Sequence, residues 1–233
     1  LSGSPWYTAA MRTPPFEVHL ELPDWDLFWL HLQVTEGDET ARAALRAHVE
    51  TEVRRRYDLK NLAQHPTVAA VRAGFKAVGC DPTRYRPASE ALLRRILKGD
   101  PIPAIHPLVD FNNCLSATLA VPCCAAAEGS FTPPVTLRAG QAGEAYDSLR
   151  GSAFRLEGKP VLADAQGPYD APITGSQRVG VQPTTERVWV NAYLPQGAVT
   201  VEEAERVARA LVERGGGVEI LAMAGSTPGE QTP

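Results

Sequence analysis

The 233-residue chain has no apolar run near the roughly 18–20 residues that a membrane-spanning helix needs. Leu1 to Pro5 carries no basic stretch leading into an apolar segment, so no secretory leader is expected. Cysteine is scarce: Cys80, Cys114, Cys123 and Cys124 form no C-x-x-C spacing, which excludes a disulfide scaffold and a zinc ribbon. That usage reads as a reduced, cytoplasmic protein. There is no Gly-rich phosphate loop, no H-E-x-x-H and no G-x-S-x-G elbow. The five histidines, His19, His31, His48, His65 and His106, make no pair at ligand spacing. Neither a metal nor a cofactor is therefore expected.

What is present is an ordinary globular composition, 44% apolar and 21% charged, with 19 glycines and 20 prolines to punctuate many short elements. Phe16 to Leu22 alternates apolar and polar residues like a half-buried strand, and Leu27 to Val34 reads as a strand buried on both faces. A helical block follows. Asp38 caps the first helix, Pro66 and Pro87 lead the next two, and a fourth runs through Leu108, Val109, Leu115 and Leu119. Short strands are predicted over 135–138, 153–157, 161–163 and 187–193. Thr200 and Glu203 then form the capping box of a late helix, and residues 218–222 form a last strand. This order predicts an α+β fold of mixed β-sheets layered with helices. Residues 1–70 read as an N-terminal portion, either a lobe of its own or part of the same domain; 71–224 form the main domain and 225–233 a flexible tail.

The net charge of −4 conceals an asymmetry. From Arg42 to Lys98 there are 13 basic residues against 5 acidic ones, a balance of +8, and the remainder carries −12. Arg84, Arg86, Arg94, Arg95 and Lys98 are dense members of this region. Such a strip suits a phosphate-bearing partner, although arginines on an amphipathic helix equally make a solvated face. The arginines lack the interleaved aromatics of a stacking platform for single strands.

Three local features hold possible chemistry. Asn112 and Asn113 interrupt an apolar helix, and a buried amide must be satisfied, so one of them faces a polar pocket or ties down a loop. Cys123 and Cys124 follow Pro122, where a thiolate would be a nucleophile if a basic partner lowered its pKa. His106, in a loop, is the best placed histidine for that part.

Four stretches in order resemble the B3/B4 module of the phenylalanyl-tRNA synthetase β subunit, in the form that also occurs alone. They are Arg84-Tyr85-Arg86-Pro87 through Leu93, Leu108-Val109-Asp110-Phe111-Asn112-Asn113, Leu137-Arg138-Ala139 with Gly143-Glu144 and Gly151, and Leu162-Ala163-Asp164. They span about a third of the chain. The resemblance implies a mixed α/β fold and a link to tRNA, since the synthetase module hydrolyses tyrosine wrongly esterified to phenylalanine tRNA. Carried over by position, Asn112 falls at a pocket threonine, Asn113 at a retained asparagine, Pro122 at the proline of P-L-H-A-F-D, and Cys124 at its histidine. Asn191 lies near the glutamate that recognises the tyrosine hydroxyl. This chain departs at Cys124, at Ala125-Ala126-Ala127 in place of A-F-D, and in having no glutamate near Asn191. Tyrosine specificity is therefore not implied.

Three readings follow. One is a stand-alone deacylase acting on misacylated tRNA in trans through a positioned water. Asn112 and Cys124 would then be catalytic, Asn113, Pro122 and Asn191 would hold substrate, and the arginines and Lys98 would bind the acceptor end. Another is a non-catalytic module that binds tRNA or an amino acid. The third is a hydrolase using Cys124 or Cys123 with His106.

Overall fold

A computed structural model describes residues 14–229. The readings of Leu1 to Pro5 and of residues 230–233 lie outside it. Two four-stranded sheets and a small hairpin are layered with five α-helices, and the α+β class read from the sequence holds. The first sheet has the order β1 (Val18–Leu20), β4 (Val135–Ala139), β7 (Pro160–Asp164), β8 (Gly167–Asp170). The second runs β10 (Val218–Ser226), β2 (Trp25–Val34), β9 (Arg187–Pro195), β3 (Cys123–Ala127). β5 (Ala145–Asp147) and β6 (Ala153–Arg155) form the hairpin. Pairings are antiparallel except β1 with β4.

The long apolar run from Trp25 becomes β2, a central strand paired on both edges by β9 and β10, and its side chains on both faces are covered: Leu27, Phe28, Leu30 and Leu32 are fully buried. Residues from the N-terminal portion therefore enter both sheets, and one continuous apolar core extends from Val18 to Ala224. β10 reaches Ser226, whose hydroxyl accepts the Trp29 indole N–H at 3.2 Å, so the pairing runs into the segment read as a tail.

Between β2 and β3 stand α1 (Glu39–Arg56), α2 (Pro66–Ala77), α3 (Ala88–Leu97) and α4 (Pro107–Leu119); α5 (Val201–Glu213) precedes β10. Two N-caps form as read: Asp38 accepts the Thr40 N–H, and the Thr200 hydroxyl accepts that of Glu203, one of the two bonds of a capping box. Gly74 of α2 is required by close approach. A Cβ there would lie 2.3 Å from the Trp25 ring, so only glycine lets the helix settle on β2.

Candidate functional site

The site grows from the α4–β3 unit. α4 begins at His106, whose Nδ1 accepts the Leu108 N–H, so this histidine serves as an N-cap. One turn in, Asp110 is buried. Its Oδ1 accepts the N–H groups of Ile105 (2.8 Å) and His106 (3.3 Å), and its Oδ2 meets Arg46 of α1 at 2.6 Å. The loop before α4 is thereby fixed to the helix. At the far end Ala120 adopts a left-handed φ of 59° and the Ser116 hydroxyl bonds the Val121 carbonyl. The chain reverses there, and β3 runs back beside α4 with its two thiols.

A cavity of about 400 Å³ opens between these elements and the segment after β8. Asn112, Asn113, Cys123, Cys124, Asp170 and Thr174 supply its polar or polarisable lining. Ile105 and Leu149 are the exposed large hydrophobics among the described residues, at 67% and 56%, and both border it. Apolar walls, a few convergent polar groups and a volume of this order suit a small-molecule moiety.

Asp170 is the strongest feature. It is fully buried at the end of β8, and its Oδ2 accepts the Tyr193 phenol at 2.5 Å. Burial raises its pKa to about 6, against hydrogen bonds from Cys124, Tyr193 and Asn191 that lower it. Those neighbours are a thiol, a phenol and an amide, none of them a cation. Asn191 supports the carboxylate without a well-formed bond from its Nδ2, and Asp170 Oδ1 also has no partner within hydrogen-bond geometry.

Strand register explains the gathering. Asn191 of β9 pairs with Cys124 of β3, so the two share a face of the sheet, and Tyr193 two residues on shares it too. Cys124 and Cys123 keep partial exposure through the cavity although protein surrounds them. Burial pushes both thiols up, and the Asp170 charge pushes them further. Neither is a ready thiolate, and His106 is occupied as a cap.

Asn112, Asn113 and Cys124 thus meet at one cavity. Asn112 Nδ2 points to the Cys123 carbonyl at 3.4 Å and to Asn113 Oδ1 at 3.5 Å, which leaves its own Oδ1 unpartnered. Pro122 and Asn191 are not in the lining. The Pro122 carbonyl accepts the Tyr193 N–H and so aligns β9, while Asn191 stands beside the Asp170 carboxylate.

The basic residues divide. Ala88 at the start of α3 lines the cavity and donates its N–H to the Pro172 carbonyl, so exposed Arg84 and Arg86 lie just before the rim in sequence. Arg84 sits over the Tyr85 ring. Arg94 is held at 2.9 Å by Glu90, a fully buried carboxylate that also takes Arg72 at 2.8 Å and lies 3.7 Å from Arg86. Arg95 donates to the Pro101 carbonyl, and Lys98 is exposed at the end of α3. Burial of Glu90 explains why arginines cluster here in part for structural reasons.

Gly175 closes one wall. A Cβ there would lie 3.2 Å from Cys124 Sγ, 3.3 Å from Asp170 Oδ1 and 3.5 Å from Leu149 Cδ1. Gly175→Ala should therefore fold, with a loss of about 1–3 kcal/mol from crowding, yet block the space beside Asp170. Ligand titration alongside a urea melt checks this, and unaltered ligand affinity would contradict it.

Two residues were missed from sequence, Asp170 and Gly175. The available signal was the acid in Tyr169-Asp170-Ala171-Pro172, an ionisable group between apolar neighbours.

A search of curated protein sequences returns no significant match. An N-terminal fragment of the phenylalanyl-tRNA synthetase β-subunit from Pyrococcus horikoshii is similar over 93% of this chain and 52% of that one, at 13% identity and a TM-score of 0.46. This chain thus spans about half the length of that fragment. The profile of the B3/4 domain matches residues 70–224, a stretch that begins in α2, contains the whole cavity lining and ends in β10. On that match over well over half its length, the chain belongs to the B3/4 domain family.

Proposed function

We propose that this protein takes the aminoacylated end of a tRNA and hydrolyses a misattached amino acid in trans. The observation that carries the reading is the convergence of Asn112, Asn113 and Cys124 on one amino-acid-sized cavity within the B3/4 match. An aminoacyl ester is already activated, so orienting its carbonyl and a water is enough for useful acceleration without a strong base. The amides of Asn112 and Asn113 are suited to that task because they offer both donors and acceptors. Ile105 and Leu149 at the mouth offer apolar contact to the nucleoside that carries the ester, and Arg84 and Arg86 offer charge to its phosphates.

Incubation with a panel of mischarged tRNAs should release amino acid from at least one member, and Asn112→Ala should slow that release by about 10²-fold, as for loss of a positioned polar group. Flat time courses across the panel would overturn the reading.

A second reading, binding without turnover, is favoured by Cys124 standing where the resemblance places a histidine, its thiol raised rather than activated. Salt-dependent tRNA binding with no release of amino acid would select it. The cysteine-hydrolase reading is the less favoured, because burial pushes both thiols up and His106 Nδ1 is engaged as the cap of α4.

A further inference from the structure

Beneath this cavity lies a buried carboxylate, Asp170, to which hydrolysis by positioned amides gives no part. Asp170 Oδ1 and Asn112 Oδ1 belong to residues lining one cavity, both atoms are buried, and neither accepts a well-formed hydrogen bond, although the Cys124 thiol and the Asn191 amide stand beside the carboxylate. The Asn112 amide is oriented by the Cys123 carbonyl, which takes its N–H side and leaves the oxygen free. Two acceptors cannot satisfy one another. A buried carboxylate without a neighbouring cation is also costly to maintain, and its position persists only if the site gains from it elsewhere.

We infer that Asp170, assisted by Asn112, forms a subsite for a primary ammonium group, so that the ligand is an amine-bearing acyl group. The inference rests on the amino-acid reading of the cavity and deepens it by assigning the group that is recognised. An ammonium offers three donors and a full charge, enough for both oxygens at once. A hydroxyl offers one donor and leaves one acceptor unmet. Tyr193 is the positioning residue: its phenol holds Oδ2 and turns Oδ1 away from that bond. Leu149 lines the same cavity and closes on the narrow space beside Gly175 and Asp170 Oδ1.

The carboxyl must be ionised to act. The groups around it are Cys123 and Cys124 from β3, Asn191 and Tyr193 from β9, Tyr169 of its own strand and Tyr146 from β5. The thiols and phenols are pushed up and stay neutral near pH 7, while Asp170 at about 6 is mostly charged there. The subsite therefore fills as pH rises through about 6.

The test uses acyl amides, which cannot report on ester hydrolysis. A set with small, aliphatic, aromatic and ω-amino side chains is titrated into the intact protein by NMR at pH 7.5, each beside its analogue lacking the α-ammonium. Amine-bearing members should bind roughly 10- to 100-fold tighter than their partners, the range for a charged hydrogen bond. If only the ω-amino members keep affinity after removal of the α-ammonium, the side chain is the source of the charge; otherwise the α-amino group is. Asp170→Asn should erase the preference. Tyr193→Phe should retain it with the pH midpoint moved upward, because a donor that lowers the Asp170 pKa is gone; this separates recognition from a folding defect. Equal binding of amine and deamino forms among members without an ω-amine, an undiminished preference in a folded Asp170→Asn protein, or no binding by any member would overturn the inference. Inert tRNA panels with amine-selective binding would leave it standing and remove only the deacylase reading.

Discussion

Asp110→Ala is expected to lower the free energy of unfolding by about 3–5 kcal/mol, the range for breaking a buried ion pair from one side. Its carboxylate meets Arg46 at 2.6 Å, and both side chains are more than nine-tenths buried. Alanine leaves that guanidinium with Glu39, a half-exposed carboxylate, and strips the acceptor from the Ile105 and His106 N–H groups. Against a typical total of about 5–15 kcal/mol, such a loss is large. A urea titration should show a lower midpoint with an unchanged slope. Asp110→Asn should retain part of the loop anchoring and fall between the two. Because Ile105 borders the cavity, ligand affinity should fall in step. An alanine variant with the parental midpoint would show that the pair contributes nothing net.

Asp170→Asn should act in the opposite direction on stability while removing amine selectivity. A carboxyl raised from an ordinary 3.8 to about 6 in the folded state binds protons more readily there than in the unfolded chain. The folded state is therefore favoured as pH falls from about 6 toward 4, and penalised above 6. Near pH 8 the penalty is about 3 kcal/mol, from roughly two pKa units at 1.36 kcal/mol each. The amide carries no charge to desolvate and can still accept the Tyr193 phenol. Melting curves should place the variant several degrees above the parent at pH 8, with the gap closing by pH 4. A parent and variant that differ equally at both pH values would show that Asp170 holds no shifted proton. A site that sacrifices stability for a buried charge is the usual mark of function.

The sequence was most legible where local chemistry repeats. Asp38, Pro66 and Thr200 marked helix starts, and the run from Leu27 to Val34 marked a strand covered on both sides. β3 escaped because Cys123 to Ala127 has no β-branched or aromatic residue; it is a strand only through its pairing with β9. β8 escaped because glycine and proline open it, and its place beside β7 sustains it. The last strand reached Ser226 because β2 is long enough to pair with it that far.

The same divide runs through the site. The pattern of residues along the chain determined the α+β class, the helix caps, the B3/4 resemblance and the pair Asn112–Asn113 as a polar interruption in an apolar helix, since each is encoded over a few neighbouring positions. Only the tertiary structure decided that Asp170 stands among Cys124, Asn191 and Tyr193, that Asp110 serves the loop rather than the ligand, and that part of the arginine strip neutralises Glu90. Those outcomes depend on strand register and on contacts through space that include pairs 18 to 64 positions apart in sequence. A buried charge acquires its meaning from whatever the fold sets beside it.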